Sequence, residues 1–212
     1  MDRLDPHLEH FPAGFFDRAD ETDDADFYAF DRFVTHIDEH AIEAVGALYE
    51  ELEIDGDVLD LCSSWISHFR SRPERLVVTG MNANELAANP MAREWVVRDL
   101  NVHPSLPFAD AEFDAVTCCV SVDYLARPLD VFAEVARVLR PGGLFVCTFS
   151  NRCFPTKAIR GWLSTGDGGR AAIVRRYFEL TEGFDAPLAQ RRPTSPLGDP
   201  LFAVVASTTV PD

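Results

Sequence analysis

The sequence predicts an α/β fold of three layers, with a mostly parallel sheet between helices and an antiparallel strand at the C-terminal end. Three observations carry this expectation. Short, continuously apolar runs recur along the chain, as they do in strands buried on both faces. A helical period bounded by Pro128 and Pro141-Gly142-Gly143 separates two of them. The last two strand-like segments are joined without room for a crossover helix, so they should pair antiparallel.

With 212 residues, the chain is long enough for one medium domain with a sizeable core. Residues 1–31 are irregular, aromatic and acidic, and are expected to fold over a crevice as a lid. From Phe33 the apolar residues Phe33, Ile37, Ala41, Val45, Leu48 and Leu52 keep a three-to-four spacing, which predicts an amphipathic helix ended by Asp55-Gly56. Residues 1–56 thus form a lid segment and helix, and 57–212 a single globular unit. Within that unit, strands are predicted at Val58–Leu61, Leu76–Thr79, Trp95–Val97, Phe113–Val120 and Leu144–Phe149. The helix after Pro128 places Phe132, Val135, Ala136 and Leu139 on one face. A further helix is expected over Arg170–Phe178, then strands over Phe184–Gln190 and Phe202–Ala206.

Asp plus Glu number 35 against 19 Lys plus Arg, a formal net charge of −16. Such a field repels phosphate backbones and anionic lipid, so nucleic acid and membrane surfaces are not the expected partners; a small molecule is. No run has the length to span a bilayer and no signal peptide opens the chain, so a cytoplasmic monomer or homodimer is the expectation. Lys157 is the only lysine. An acidic chain nearly without lysine fits salt adaptation, and equally a genome that prefers Arg codons. The odd set Cys62, Cys118, Cys119, Cys147 and Cys153 has no C-x-x-C spacing, which argues against a disulfide framework or structural zinc, and no metal is expected.

Leu106-Pro107-Phe108 ahead of Phe113-Asp114-Ala115-Val116, and Glu134 followed by Arg137-Val138-Leu139-Arg140-Pro141-Gly142-Gly143, resemble the class I S-adenosylmethionine-dependent methyltransferases, in particular the type 11 group. The resemblance implies a Rossmann-like sheet, S-adenosylmethionine as cofactor, and methyl transfer to a small-molecule O, N or S acceptor. It implies cofactor contacts from Asp60, Cys62, Ser63 and Ser64 after strand one, Asn82 and Ala83 after strand two, Asp99 and Leu100 after strand three, and Cys119 at strand four. The segment Leu59-Asp60-Leu61-Cys62-Ser63-Ser64-Trp65-Ile66 lacks the three glycines of the family's loop. Glycine belongs there for positive φ and close approach of backbone to ligand, and β-branched Ile66 is a poor substitute. The loop must therefore follow another path, with Ser63 and Ser64 as hydroxyl donors to the methionine carboxylate at a helix N-terminus. Asn82 stands where an acidic residue commonly accepts both ribose hydroxyls, so one acceptor remains without its charge.

In an open α/β sheet the ligand crevice lies outside the carboxyl ends of the strands. Tyr28 and Arg32 before the first helix, and Asn151 and Arg152 after strand five, are the expected acceptor contacts, with the arginines able to clamp a carboxylate. Their alternative is a salt bridge to the abundant acids. His36, Asp123 and Tyr124 are the titratable candidates for a general base. Otherwise His36 reads as a surface histidine and Asp123 as a helix N-cap. Two other functions stay open: a methyltransferase-like domain that binds without catalysis, and a thiol or metalloid methyltransferase in which Cys62, Cys153 and Cys118 or Cys119 gather a soft atom.

Overall fold

The structure, a computed structural model, describes residues 9–210; residues 1–8 of the expected lid and residues 211–212 lie outside the described residues. Seven strands form one sheet: β1 (Asp57–Leu61), β2 (Arg75–Gly80), β3 (Glu94–Val97), β4 (Phe113–Cys119), β5 (Leu139–Phe149), β6 (Leu188–Arg192) and β7 (Leu201–Ser207). Their order is β3-β2-β1-β4-β5-β7-β6. The first five pair in parallel, and β7 runs antiparallel to both β5 and β6, as the sequence predicts.

Side chains leave successive strand positions on opposite faces. Leu59, Leu61, Val77, Val116, Cys118, Phe145 and Cys147 enter one core, while Val58, Leu76, Val78, Ala115 and Val146 enter the other. That double burial is why these strands read as unbroken apolar runs. In chain order the helices are α1 (Asp24–Phe27), α2 (Glu39–Glu51), α3 (Ala83–Ala87), α4 (Pro128–Val138), α5 (Arg160–Leu163) and α6 (Asp167–Leu180). Phe132 and Val135 of α4 pack with Tyr177 and Phe178 of α6 in the first core. Ala41, Val45, Leu48 and Tyr49 of α2 fill the second.

Several boundaries differ from the sequence reading, three of them for a plain local reason. Helix α2 starts at Glu39 rather than Phe33 because Asp38 caps it, its carboxylate accepting from Ala41 N at 2.9 Å. Strand β5 begins at Leu139, with Pro141 and Gly142 inside it; the proline holds Arg140 in an extended conformation, so the helix cannot run on to Pro141. Strand β6 begins at Leu188, past Pro187, which has no N–H for the ladder. Phe184 makes only a single bridge with Thr208.

A larger departure lies between β1 and β2. Residues 62–74 contain no helix, and 98–112, between β3 and β4, contain none either. The N-terminal segment packs on the domain and contributes Arg18, Asp24, Tyr28 and Arg32 to a cavity wall. Arg18 bridges Ile159, and the rings of Phe11 and Phe16 lie tilted against that of Tyr177, 5.7 and 6.4 Å between centroids.

Candidate functional site

A cavity of about 480 Å³ opens beyond the carboxyl ends of β1 to β4, walled by the N-terminal segment and by residues 151–155 after β5. The order of the sheet puts it there. β1 and β4 are sequence-distant neighbours, so their following loops diverge and leave a crevice.

The β1 turn is built around Asp60. Its Oδ1 accepts from Thr117 Oγ1, and its Oδ2 from Ser63 Oγ and Ser67 Oγ, each at 2.7 Å. Burial pushes this carboxyl above the ordinary range, and the three hydroxyls pull against that shift. Cys62 takes φ 51, so one non-glycine residue supplies the left-handed turn. The chain then crosses the end of β2, where Ser63 N donates to Thr79 O at 2.6 Å. Gly80 makes this crossing possible, because a Cβ there would lie 2.2 Å from Ser63 O. The expected alternative path is therefore real, but the expected helix N-terminus is not: no helix follows Ser63 and Ser64. Ser64 Oγ donates to Glu85 Oε2 at 2.5 Å instead. The N–H groups of Ser64, Trp65 and Ile66 donate to no protein acceptor among the described residues.

Asn82 caps α3, its Oδ1 accepting from Asn84 N and Glu85 N. Its Nδ2 donates to Tyr28 O and Asp31 Oδ1, which ties the N-terminal segment to β2. Asp99 Oδ1 accepts from Asn101 N and Val102 N, while its Oδ2 accepts nothing among the described residues. Leu100 is buried beside it. Cys119 lines the floor with its thiol pushed up to about 12 by burial. Cys62 and Cys118 touch, as do Cys118 and Cys147; the Cys118 contact and burial raise the Cys62 thiol well above its usual range, and the Cys147 contact and burial raise that of Cys118 against the opposing pull of Cys62. Among the described residues, no group of three or more His, Cys, Asp or Glu could hold a metal ion.

Of the sequence-predicted site residues, Asp60, Cys62, Ser63, Ser64, Asn82, Asp99, Leu100, Cys119, Tyr28, Arg32, His36, Tyr124, Asn151 and Arg152 all line the cavity. Ala83 and Asp123 do not. Ala83 is exposed on α3, and Asp123 is buried in the 3-10 turn Val122–Tyr124. Loss of hydration lowers the His36 imidazole, with Glu85 opposing and Arg32 adding to the shift. The Tyr124 hydroxyl accepts from Phe154 N at 2.8 Å, and burial drives its pKa far upward, so it keeps its proton. Arg152 faces Asp199 at 3.7 Å, with most of its side chain exposed.

Several lining residues escape the sequence reading. Tyr49 sits on the apolar stripe of α2 and reads as core. Glu85 reads as a solvated helix acid, yet it is buried and accepts from Arg32 N at 2.7 Å as well as from Ser64. Lys157 carries a sequence signal in its singularity. It is 1% exposed, 3.0 Å from Asp24 and 3.3 Å from Asp20, and donates to Thr22 O. Asp24 also accepts from Arg18 Nη1 and Asn101 Nδ2, which hold its carboxyl low against the upward pull of burial.

Residues 71–147 match the methyltransferase-domain family. Over 78 residues the chain is 40% identical to the ubiquinone/menaquinone biosynthesis C-methyltransferase UbiE of Roseobacter denitrificans, a match covering 36% of this chain and 30% of that protein. The malonyl-[acyl-carrier protein] O-methyltransferase of Hahella chejuensis is 35% identical over 143 residues, 63% of this chain and 49% of that one. These matches thus span half or less of the curated relatives' length. The solved Burkholderia thailandensis 1,6-didemethyltoxoflavin-N1-methyltransferase, which has 1,6-didemethyltoxoflavin and S-adenosylhomocysteine bound, aligns with TM-score 0.59 at 19% identity, covering 81% of this chain and 80% of that chain. That likeness is one of fold.

Proposed function

We propose that this chain, which resembles the class I S-adenosylmethionine-dependent methyltransferases in residues 71–147 and shares their fold, transfers a methyl group to a small-molecule O, N or S acceptor. The observation that carries this reading is the cavity at the strand ends, with the unbonded Ser64, Trp65 and Ile66 amides at β1 and a free Asp99 oxygen beyond β3. Its volume, about 480 Å³, falls within the ~300–1,000 Å³ of small-molecule sites.

The residues fit the cofactor in an altered manner. Successive free backbone amides favour an anion without a helix behind them, so the 64–66 turn would hold the methionine carboxylate. Asp99 Oδ2 would accept from the adenine amine. Asn82 is committed to capping and to Tyr28, so it offers the ribose little, and ribose contacts fall to neighbouring backbone. When bound, S-adenosylmethionine supplies an electrophilic methyl on a sulfonium, whose sulfur leaves with the bond pair as a neutral thioether. The chain's part is to align the acceptor with that methyl and exclude water. The N-terminal segment, clamped by Arg18, Asp24 and Lys157, serves as the lid. His36, held neutral by its lowered pKa, takes the acceptor's proton where the acceptor must lose one. Tyr124 positions residues 153–155 rather than acting as a base.

A second reading, binding without catalysis, is favoured by one set of observations: Asp60, Ser63 and Asn82 already satisfy one another or their neighbours. The thiol reading requires Cys62, Cys153 and Cys118 or Cys119 to converge in the cavity; Cys62 touches Cys118, but Cys118 does not line the cavity, and no such three-residue group occurs among the described residues. Calorimetric titration of S-adenosylmethionine into the protein decides between the first two. Saturable heat is expected, and Ser64→Trp should abolish it by filling the turn. No heat and no thermal shift at millimolar cofactor, at low and high salt, would remove the enzymatic reading.

A further inference from the structure

Arg32 is an anomaly in a chain of net charge −16. The other cations of the cavity wall each face a carboxylate or carbonyl partner. Arg18 and Lys157 are paired with Asp24, Arg152 faces Asp199, and Arg98 donates to His103 O and Ser105. Arg32 is in no ion pair among the described residues. Its Nη2 donates to Phe27 O at 2.7 Å and its Nη1 to Phe30 O at 3.3 Å, which leaves most of its five N–H donors unspent.

The surroundings of that guanidinium are aromatic. Its carbon lies 4.6 Å from the Phe27 ring centroid and 5.8 Å from those of Tyr28 and Phe154. Phe154 is in turn 5.1 Å from His36, edge-on, and 6.0 Å from Tyr124 at a tilt of 31°. Tyr28, Arg32, His36, Tyr124 and Phe154 all line the cavity. An unpaired planar cation among ring faces recognises two features together: a carboxylate, bound by a two-pronged donor fork, and a flat π-system that stacks on neighbouring rings.

We propose that this part of the cavity binds a planar aromatic carboxylate, its acid on Arg32 and its ring against Phe154. The proposal rests on the small-molecule reading above and narrows the acceptor to one class.

Calorimetric titration of the full chain with salicylate, benzamide and cyclohexanecarboxylate tests it. Salicylate is expected to saturate, with the neutral amide and the alicyclic acid each about tenfold weaker or more, given typical charge-assisted and stacking contributions. Arg32→Gln should lose about tenfold or more of the salicylate affinity. Should that variant unfold for want of its Phe27 and Phe30 contacts, Phe154→Leu keeps the charge and removes the ring. It should erase the preference for salicylate over cyclohexanecarboxylate. Equal binding of the three probes, no salicylate binding, or unchanged affinity in folded Arg32→Gln would overturn the proposal. S-adenosylmethionine is titrated separately. Cofactor binding without salicylate binding sinks this inference alone, whereas salicylate binding without cofactor binding sustains it and removes the methyltransferase reading.

Discussion

Asp123 is 2% exposed, and its Oδ2 meets no hydrogen-bond donor among the described residues. Burial pushes its pKa up to about 8, against the pull of Arg170. In the unfolded chain it would ionise near ~3.9. The folded state therefore holds an extra proton between those values, and its stability falls as pH rises from about 4 to 8. Asp123→Asn removes that penalty: its melting temperature should exceed the parent's at pH 8 and converge with it near pH 4. A parallel pair of melting curves across that range would contradict the assignment. His68 acts at the other end. Burial lowers it to about 4, so stability is lost as pH falls below the ordinary histidine value toward that point. At this scale the sequence identifies which residues reach the cavity far better than what each does there. Asn82 stands beside the cavity as its position implies, yet its hydrogen bonds go to α3 and Tyr28. No motif announces such partners, because they come from a segment some fifty residues upstream.

Among the elements, the turn after β1 separates this chain from its sequence expectation. Loss of the glycines implied another path, and the left-handed Cys62 with the crossing over Gly80 is that path. The absence of a helix over 62–74 was legible only in part. Ser63, Ser64, Ser67 and Ser71 are weak helix formers, Trp65 and Ile66 are restricted in χ1, and Pro73 stops any helix. The serine bonds to Asp60 that decide the matter are tertiary and invisible in a linear reading. Gly80→Ala tests the crossing. Its Cβ meets backbone rather than a flexible side-chain end, so the 62–64 segment must move, at a cost of about 1–3 kcal/mol. Lower melting temperature with weakened S-adenosylmethionine binding is expected; unchanged values for both would mean the crossing is not required.

Across the whole molecule, the sheet was legible because two-sided burial leaves the same signature in every central strand. The chain's strand order follows from parallel pairs needing crossovers, even where no helix makes them. The charge balance was legible too, but not its cause. With a net −16, self-repulsion opposes the compact state, and salt screens it. Salt adaptation then predicts a melting temperature that rises by at least ~3 °C between 0.1 and 2 M KCl, about 1 kcal/mol for a domain of this size. A flat response would point to codon preference instead.

One consequence follows from the burial of Lys157. It carries the only side-chain amine of the molecule and lies beneath Asp20, Thr22 and Asp24. Acylating reagents that seek side-chain amines thus find none on the folded surface. Acylation of Lys157 is therefore expected only when its packing against Asp20, Thr22 and Asp24 loosens, so chemical footprinting at one atom would report on that loosening.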